Sequence, residues 1–471
     1  MTDDFCGSEL QDRSNPLLVF SNSPEEHLQR SIYCLRKGEL AKARLFARTS
    51  ADFASSDWSR LEDLGFILFR LGELRLSFAV LQQAGRNNQL KKHGLRVLSA
   101  LYHFQGQNDQ SRLCINAMAM LGTITGPKKI KPECPNVLHL CSVEQSVFVI
   151  KKDPETGLCS DILKGGHFSL KYLLNSQQVN LFTGIVLGDN LLQTDNLPRF
   201  DLIINGLSCP DFDKKGLGSI YRLLRRFPHI PVINPPESVL RTSRAENVRR
   251  LSGLDHVIIP PIELVECGQG LDRVIPQVES AGFCYPLVLR RRGGHGANQI
   301  HKIDSRFELE EWFTHQDQHQ VFYVSPYFHY CWGDGLFRKF RVFFIDGLIY
   351  SASCVVSDCW QIHCDNPRHR DRYRLMSSRM TLQDEEKVFL NDPASSIGSN
   401  ALNALWEIQR LIGLDYFGID FALSESGKII IFEVNAAMRQ NIADIKDFPY
   451  LRPSVDRMTN AFMTMVQSRC S

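Results

Sequence analysis

Asp420, Glu433 and Asn435 are the residues of this chain best spaced to do chemistry. They lie in Leu414-Asp415-Tyr416-Phe417-Gly418-Ile419-Asp420-Phe421-Ala422-Leu423, then Ser424-Glu425-Ser426-Gly427, then Lys428-Ile429-Ile430-Ile431-Phe432-Glu433-Val434-Asn435. Two apolar, β-branched and aromatic runs around a Ser/Gly turn predict a β-hairpin. A turn centred on Ser426-Gly427 sets Asp420 directly opposite Glu433, with side chains about 5 Å apart on one face. Asn435 lies two residues further on and shares that face. The expectation is three oxygen ligands converging on one spot. Ile419, Phe421, Phe432 and Val434 alternate with them and are assigned to a core, with Ile429 and Ile431 flanking the polar face. Two carboxylates this close repel unless a cation or a proton sits between them. Carboxylates with an amide oxygen are hard ligands that suit magnesium better than zinc, and magnesium usually shares its shell with substrate phosphates. The plain alternative is a solvated hairpin whose acidic residues coincide by chance.

A second block has phosphate chemistry. Tyr285-Pro286-Leu287-Val288-Leu289 ends in Arg290-Arg291-Arg292 and opens into Gly293-Gly294-His295-Gly296. Glycines let backbone N–H groups close on a phosphate, and Arg290 at the strand end adds fixed charge. No Gly-Lys-Ser/Thr follows, which excludes a Walker A loop. Gln299 to Ile303 reads as a returning strand, so the loop is expected to be a hairpin flap over a nucleotide. Further on, Phe337 to Tyr350 reads as a hairpin turning at Asp346-Gly347. Lys339 and Arg341 share one face of its first strand by period 2. Two cations on one side of a buried strand want anions; a surface strand edge is the other reading. Arg241 and Arg244 open a helix after the strand Val232-Ile233-Asn234, and spacing alone favours a solvated helix face for them.

The elements that must hold these residues come next. The chain has 471 residues, room for two to four domains, with 43% hydrophobic and 23% charged residues and a formal charge of +2. That balance gives no nucleic-acid signal, and the cluster Arg222, Arg225 and Arg226 is thin support for RNA binding. No apolar run reaches about 18 residues, so no membrane span is expected, and the polar start predicts no secretory leader. The 14 cysteines lack repeated spacing and read as reduced thiols of a cytoplasmic protein. Cys354, Cys359, His363 and Cys364 lack a C-x-x-C element and are read as buried thiols, not a zinc site.

Residues 1–22 are polar and aperiodic, and are read as a flexible tail. Gly38, Gly72 and Gly106 then recur every 34 residues, each followed five residues later by Ala43, Ser77 or Ser111. This period, with glycine at a turn and a small residue where helices cross, matches the tetratricopeptide helix–turn–helix and assigns residues 23–125 to helical repeats. The breaker-rich stretch Gly126 to Pro135 is a linker. Beyond it, short apolar runs at 137–141, 147–150, 180–182, 200–205 and 231–234, with a basic amphipathic helix at 217–227, predict an α/β layer.

In this order the motifs resemble the ATP-grasp superfamily. The spacing Asp420, Glu433, Asn435 is similar to its magnesium signature. With the repeats included, the chain resembles tetratricopeptide-repeat ATP-grasp proteins, on Asp334-Gly335-Leu336-Phe337-Arg338-Lys339-Phe340-Arg341, on Leu414 to Asp420 and on Phe432 to Met438. The resemblance implies a multidomain chain: helical repeats at 23–125, an α/β pre-ATP-grasp domain at 135–240, a nucleotide flap lobe at 241–325 and a metal-binding lobe at 326–467, the last two forming an α+β ATP-grasp fold. It implies ATP and magnesium (or manganese) as cofactors, with the metal on Asp420, Glu433 and Asn435. It puts Arg244 and Arg290 where family members hold phosphate with lysine. Val324 to Tyr327, including Ser325 and Tyr327, becomes the segment whose backbone meets adenine, and Arg341, with Lys339, becomes the catalytic cation. The implied activity is a ligase that activates a carboxylate as an acyl phosphate for attack by an amine, thiol or other nucleophile. Its substrate would be a small-molecule or peptide carboxylate, and a protein or peptide partner is expected on residues 23–125. His295 and His363 are read as structural before being read as proton carriers. The other class is a non-catalytic adaptor, in which the repeats bind a partner and the remainder only binds nucleotide.

Overall fold

The computed structural model describes residues 23–122, 124–166, 170–188, 192, 197–293, 300–362, 371–440 and 442–470. Gly294, His295, Gly296, His363 and Cys364 lie outside the described residues. The chain divides into two units: residues 1–118 with 147–164, and residues 119–146 with 165–471.

The first unit is built from α1 (Pro24–Arg36), α2 (Leu40–Phe53), α3 (Leu61–Arg70), α4 (Leu74–Arg86), α5 (Lys92–Phe104) and α6 (Asn108–Met120). Pro24 starts α1 and Glu25 and Glu26 occupy its first turn, where the fixed φ of proline and the helix dipole favour them. Gly38, Gly72 and Gly106 all stand at positive φ between the paired helices, a conformation that costs glycine nothing. One hydrogen bond recurs in each pair. Ser31 Oγ donates to Ala43 O at 2.8 Å, Ser77 Oγ to Gly65 O at 2.7 Å and Ser99 Oγ to Ser111 O at 3.1 Å. Small residues at these crossings let one backbone reach the other, which is the physical content of the 34-residue period. A Cβ on Gly65 would lie 2.6 Å from Leu81 Cγ, a fully buried side chain. Gly65→Val is therefore expected to destabilise this unit by about 1–3 kcal/mol through overpacking, read as an earlier loss of helical circular dichroism on heating.

The sequence reading kept residues 135–240 together. Instead, the two-stranded hairpin near 147–164 groups with the helices: Ile150, Leu158 and Cys159 join their apolar clusters.

The second unit starts with β1 (Ile124–Thr125) and β2 (Asn136–Ser142), continues after β3 (Ser146–Lys152) and β4 (Cys159–Gly165), and adds β5 (Asn180–Val186), β6 (Leu202–Asn205) and β7 (Val232–Ile233). These form a sheet in the order β1-β5-β2-β6-β7, parallel from β5 to β7. All four residues of β6 are buried, as expected for a strand covered on both faces. The helix read at 217–227 is longer on its N-terminal side: α7 spans Pro210–Leu224, with proline in its first turn and a break at Asp213. α8 (Pro236–Leu240) and α9 (Arg244–Leu251) follow β7, and Ser243 caps α9 by accepting from Glu246 N at 3.2 Å.

Next come β8 (Val257–Ile258), β9 (Glu263–Glu266), α10 (Leu271–Ser280), β10 (Leu287–Arg291), β11 (Ile300–Ile303), α11 (Arg306–Thr314) and β12 (Val321–Pro326). Strands β11-β10-β12-β9 make an antiparallel sheet, one face of which packs on α10 and α11. The third sheet combines β13 (Phe337–Ile345), β14 (Leu348–Ser357), β15 (Tyr416–Leu423) and β16 (Ile429–Asn435) with β8, in the order β14-β13-β15-β16-β8. Between β14 and β15 run α12 (Asp371–Ser378), α13 (Met380–Asn391), α14 (Pro393–Ile397) and α15 (Ser399–Ile412); α16 (Arg452–Cys470) ends the described chain. Phe340, Val342 and Phe344 of β13 and Phe417, Ile419 and Phe421 of β15 share an apolar cluster with Leu405 and Ile408 of α15. The opposite face of these strands carries Lys339, Arg341 and Asp420, and further along it Phe343, Ile345 and Tyr416 pack in a second apolar cluster.

The β15–β16 register differs from expectation in one respect. The turn spans Ser424 to Lys428, closed by Ser424 N donating to Lys428 O at 2.9 Å, with Gly427 at φ +75°. Leu423 pairs with Ile429, so the turn centres on Ser426 alone. A bulge between Asp420 and Phe421 then shifts the register by one residue, and Asp420 faces Glu433 after all. The shift re-sorts the apolar residues. Ile429 and Ile431, read as flanking the polar face, are buried in the core with Phe421. Phe432, read as core beside Phe421, packs on the other side with Tyr330 and Ile430.

Candidate active site

The polar face of the third sheet and the inner side of the β9–β12 sheet enclose a cavity of about 410 Å³, within the usual range for small-molecule sites. Lys339, Arg341, Asp420, Glu433 and Asn435 line it from the third sheet, Arg290, Gly293, Ser325 and Tyr327 from the other, and Arg244 from the start of α9. The structure thus brings the expected side chains to one cavity, apart from Gly294, His295 and Gly296, which lie outside the described residues.

Register explains the arrangement. Arg341 is the cross-strand partner of Asp420, and Asp420 that of Glu433. Arg341 binds Asp420 with both arms of its fork, Nε to Oδ1 at 2.6 Å and Nη2 to Oδ2 at 2.8 Å. Lys339 Nζ reaches Asp420 Oδ2 at 3.2 Å. Burial alone would raise the Asp420 carboxyl, but Arg341 and then Lys339 overcome it and hold the group at about 2. A carboxylate with a depressed folded-state pKa contributes stability above its unfolded value, near 3.9, and that contribution fades as pH falls through the folded value. The second unit is expected to lose stability between about pH 4 and pH 2, and Asp420→Asn should flatten that part of a urea-midpoint profile against pH.

Glu433 sits between two environments. Asn435 Nδ2 donates to its Oε1 at 3.1 Å, and Arg290 Nη2 stands 3.5 Å from Oε2. Asn435 Oδ1 accepts from Ala437 N at 2.9 Å. The three side chains therefore meet on one face, with the amide presenting nitrogen, not oxygen, to its neighbour. The donor set suits a hard divalent cation held mainly by carboxylate oxygens. Among the described residues there is no group of three or more His, Cys, Asp or Glu that could hold a metal.

Arg290, Arg244, Lys339, Arg341 and Arg439 give the cavity wall its cations, against Asp211, Asp420, Glu433 and Asp444. Burial, reinforced by Arg244, pulls the Arg290 guanidinium down to about 10 despite Glu433 and Asp420. Its Nε is buried without a partner. A fixed buried donor of this kind costs free energy unless an anion meets it. Arg244 is held as well: Nη1 donates to Phe432 O at 3.1 Å. The solvated helix face read for Arg244 is therefore not observed; Arg241, by contrast, is exposed.

Part of the cavity wall is apolar and aromatic: Phe328, Tyr330, Ile362 and Phe432 share one cluster, and Ile259 and Ile262 add to the lining. Tyr327 N donates to Pro286 O at 2.9 Å, so that amide is not the group that reads a base. Burial raises the Tyr327 phenol to about 12, and Lys302 Nζ lies 5.1 Å from its ring.

Sequence reasoning missed Asp211, Tyr323, Asn247 and Arg439. Tyr323 is the cross-strand partner of Arg290, and its hydroxyl donates to Asp211 Oδ1 at 2.8 Å. Burial and the Asp211 charge raise its phenol. Asp211 follows the carboxyl end of a parallel strand, the place where open α/β sheets bind ligands, and that rule could have found it. Asn247 Oδ1 is buried without a partner on the cavity wall. Gln440 is buried with both amide atoms unpartnered beside a void of about 10 Å³, room for one water.

No family model matches the chain, and no curated protein matches its sequence. Solved structures do align with it. A RimK domain protein ATP-grasp from Sphaerobacter thermophilus is 11% identical over 70% of this chain and 99% of its own, with a TM-score of 0.39. D-alanine–D-alanine ligase from Bacillus anthracis, complexed with ATP, is 12% identical over 72% of this chain and 97% of its own, again at 0.39. The VanG D-Ala:D-Ser ligase from Enterococcus faecalis is 11% identical over 70% and 99%, also at 0.39. At this identity and overlap these structures resemble the chain only loosely. No helix among the described residues is long and apolar enough to cross a membrane.

Proposed function

We propose that the chain is an ATP-dependent ligase of the ATP-grasp type, which activates a substrate carboxylate as an acyl phosphate, converting ATP to ADP, for attack by an amine or another nucleophile. One observation carries this reading: Arg290, with a buried unpartnered Nε, faces Glu433 across a cavity whose opposite wall sets Asp420 beside Lys339 and Arg341. Fixed cations and carboxylates with little water between them are what phosphoryl transfer needs, because its catalysis is positioning and charge stabilisation. Asp420 and Glu433, joined by Asn435 through the remaining lone pair of its Oδ1, are the proposed holders of magnesium or manganese, which when bound would neutralise phosphate charge. Arg244 and Arg290 bind the phosphates. The apolar part of the wall, with Ser325 and Tyr327, takes the base. Lys339 and Arg341 stabilise charge on the transferred group, and no nucleophilic side chain is required.

In this reading residues 135–240, without the hairpin at 147–164, form the pre-ATP-grasp domain, 241–325 the flap lobe and 326–467 the metal lobe. The helical unit, read as tetratricopeptide-like, binds a protein or a peptide substrate. The test is ADP release by the full chain with Mg-ATP, pooled carboxylates and pooled amines. Release that Glu433→Gln abolishes supports the ligase. Absence of release with every pool, together with absence of ATP binding, removes it.

A further inference from the structure

The cations beside Asp420 have a consequence for how a divalent ion enters. Both Asp420 oxygens accept from Arg341, at 2.6 and 2.8 Å, and Oδ2 also meets Lys339 at 3.2 Å. Arg341 is braced further by donating Nη1 to Arg439 O at 3.0 Å. Asp420 is only 5% exposed, so these charges meet with little screening by water. A divalent cation approaching Asp420 must therefore take oxygens that two fixed cations already hold, while being repelled by both. We propose that Arg341 and Lys339 make the metal site conditional on nucleotide: they compete with the divalent ion for Asp420 until a polyphosphate supplies the anionic oxygens that draw them away. This inference rests on the nucleotide-and-metal reading above.

Glu433, the neighbouring carboxylate, meets Arg290 at 3.5 Å and the Asn435 amide nitrogen at 3.1 Å. Competition at Asp420 should be relieved by changing Arg341. By linkage, metal and nucleotide must tighten each other by the same factor.

Mn²⁺ is the probe, followed on the full chain through the electron paramagnetic resonance signal of the free ion, without nucleotide. Arg341→Met is expected to bind Mn²⁺ about tenfold more tightly than wild type, in line with the effect of one close charge on an ionic equilibrium. Lys339→Met, which removes only the longer contact and leaves the fork, is expected to tighten it about threefold and serves if the first variant does not fold. Adding Glu433→Gln to either should abolish the gain. A role of Arg341 confined to holding the fold or the phosphates would not improve metal affinity. Mn²⁺ binding that is equal or weaker in both variants, yet lost in Glu433→Gln, overturns the competition and leaves the ligase reading standing. Mn²⁺ binding by none of the proteins, with ATP present or absent, overturns both.

Discussion

Asp420→Asn is expected to lower ADP formation at least about a thousandfold, as removal of a charged group central to a phosphoryl-transfer site does, and to cost about 3 kcal/mol of stability at neutral pH. The two effects have separate causes. Asparagine offers one neutral oxygen where a carboxylate held both Arg341 and Lys339, whose side chains are only 16% and 14% exposed. Two cations are then left near each other in a poorly solvated wall, and the penalty is theirs, not the loss of one bond. A urea titration gives the stability term, and coupled ADP detection gives the rate. A variant that melts like wild type would show that the ion pairs on Asp420 are not what stabilises that wall.

Arg290→Met is expected to separate function from stability in the opposite sense. Burial already pulls this guanidinium down, and one of its donors has no partner. Arg290→Met leaves Glu433 without this partner but also removes a desolvated charge that Arg244 repels, so stability is expected to change by no more than about 1 kcal/mol in either direction. The same change should weaken ATP binding by about a hundredfold, because a desolvated cation beside the phosphates is lost. Thermal melts and calorimetric ATP titrations on one preparation read both quantities. Loss of stability without loss of ATP affinity would mark Arg290 as a structural partner of Glu433 and nothing more.

Much of the candidate site was legible because its residues lie on strands, where period 2 and a turn fix which side chains meet. Asp420 opposite Glu433 follows from that geometry, as does the shared face of Lys339 and Arg341. The route to the first was partly fortuitous. The turn centres half a residue away from the position read, which slips the pairing by one residue, and a bulge restores the register at Asp420. Local composition carries no sign of that bulge, so Phe432, Ile429 and Ile431 were assigned to the wrong sides. The 34-residue period was legible for a different reason: close helix crossings admit only small side chains, and glycine alone turns at positive φ without cost. Asp211 and Tyr323 were not legible as a pair, because they are 112 positions apart and meet only through tertiary packing. The β3–β4 hairpin was equally opaque, since its apolar residues read as strand whichever unit they cover.

The central claim is that this cavity binds a nucleotide through a divalent ion on the β15–β16 hairpin. Calorimetric titration of ATP into the full chain, with magnesium and then with excess chelator, tests it most directly. The account predicts saturable one-to-one binding with magnesium, lost with chelator and in Glu433→Gln. Binding that is indifferent to both, or absent under all conditions, would contradict it.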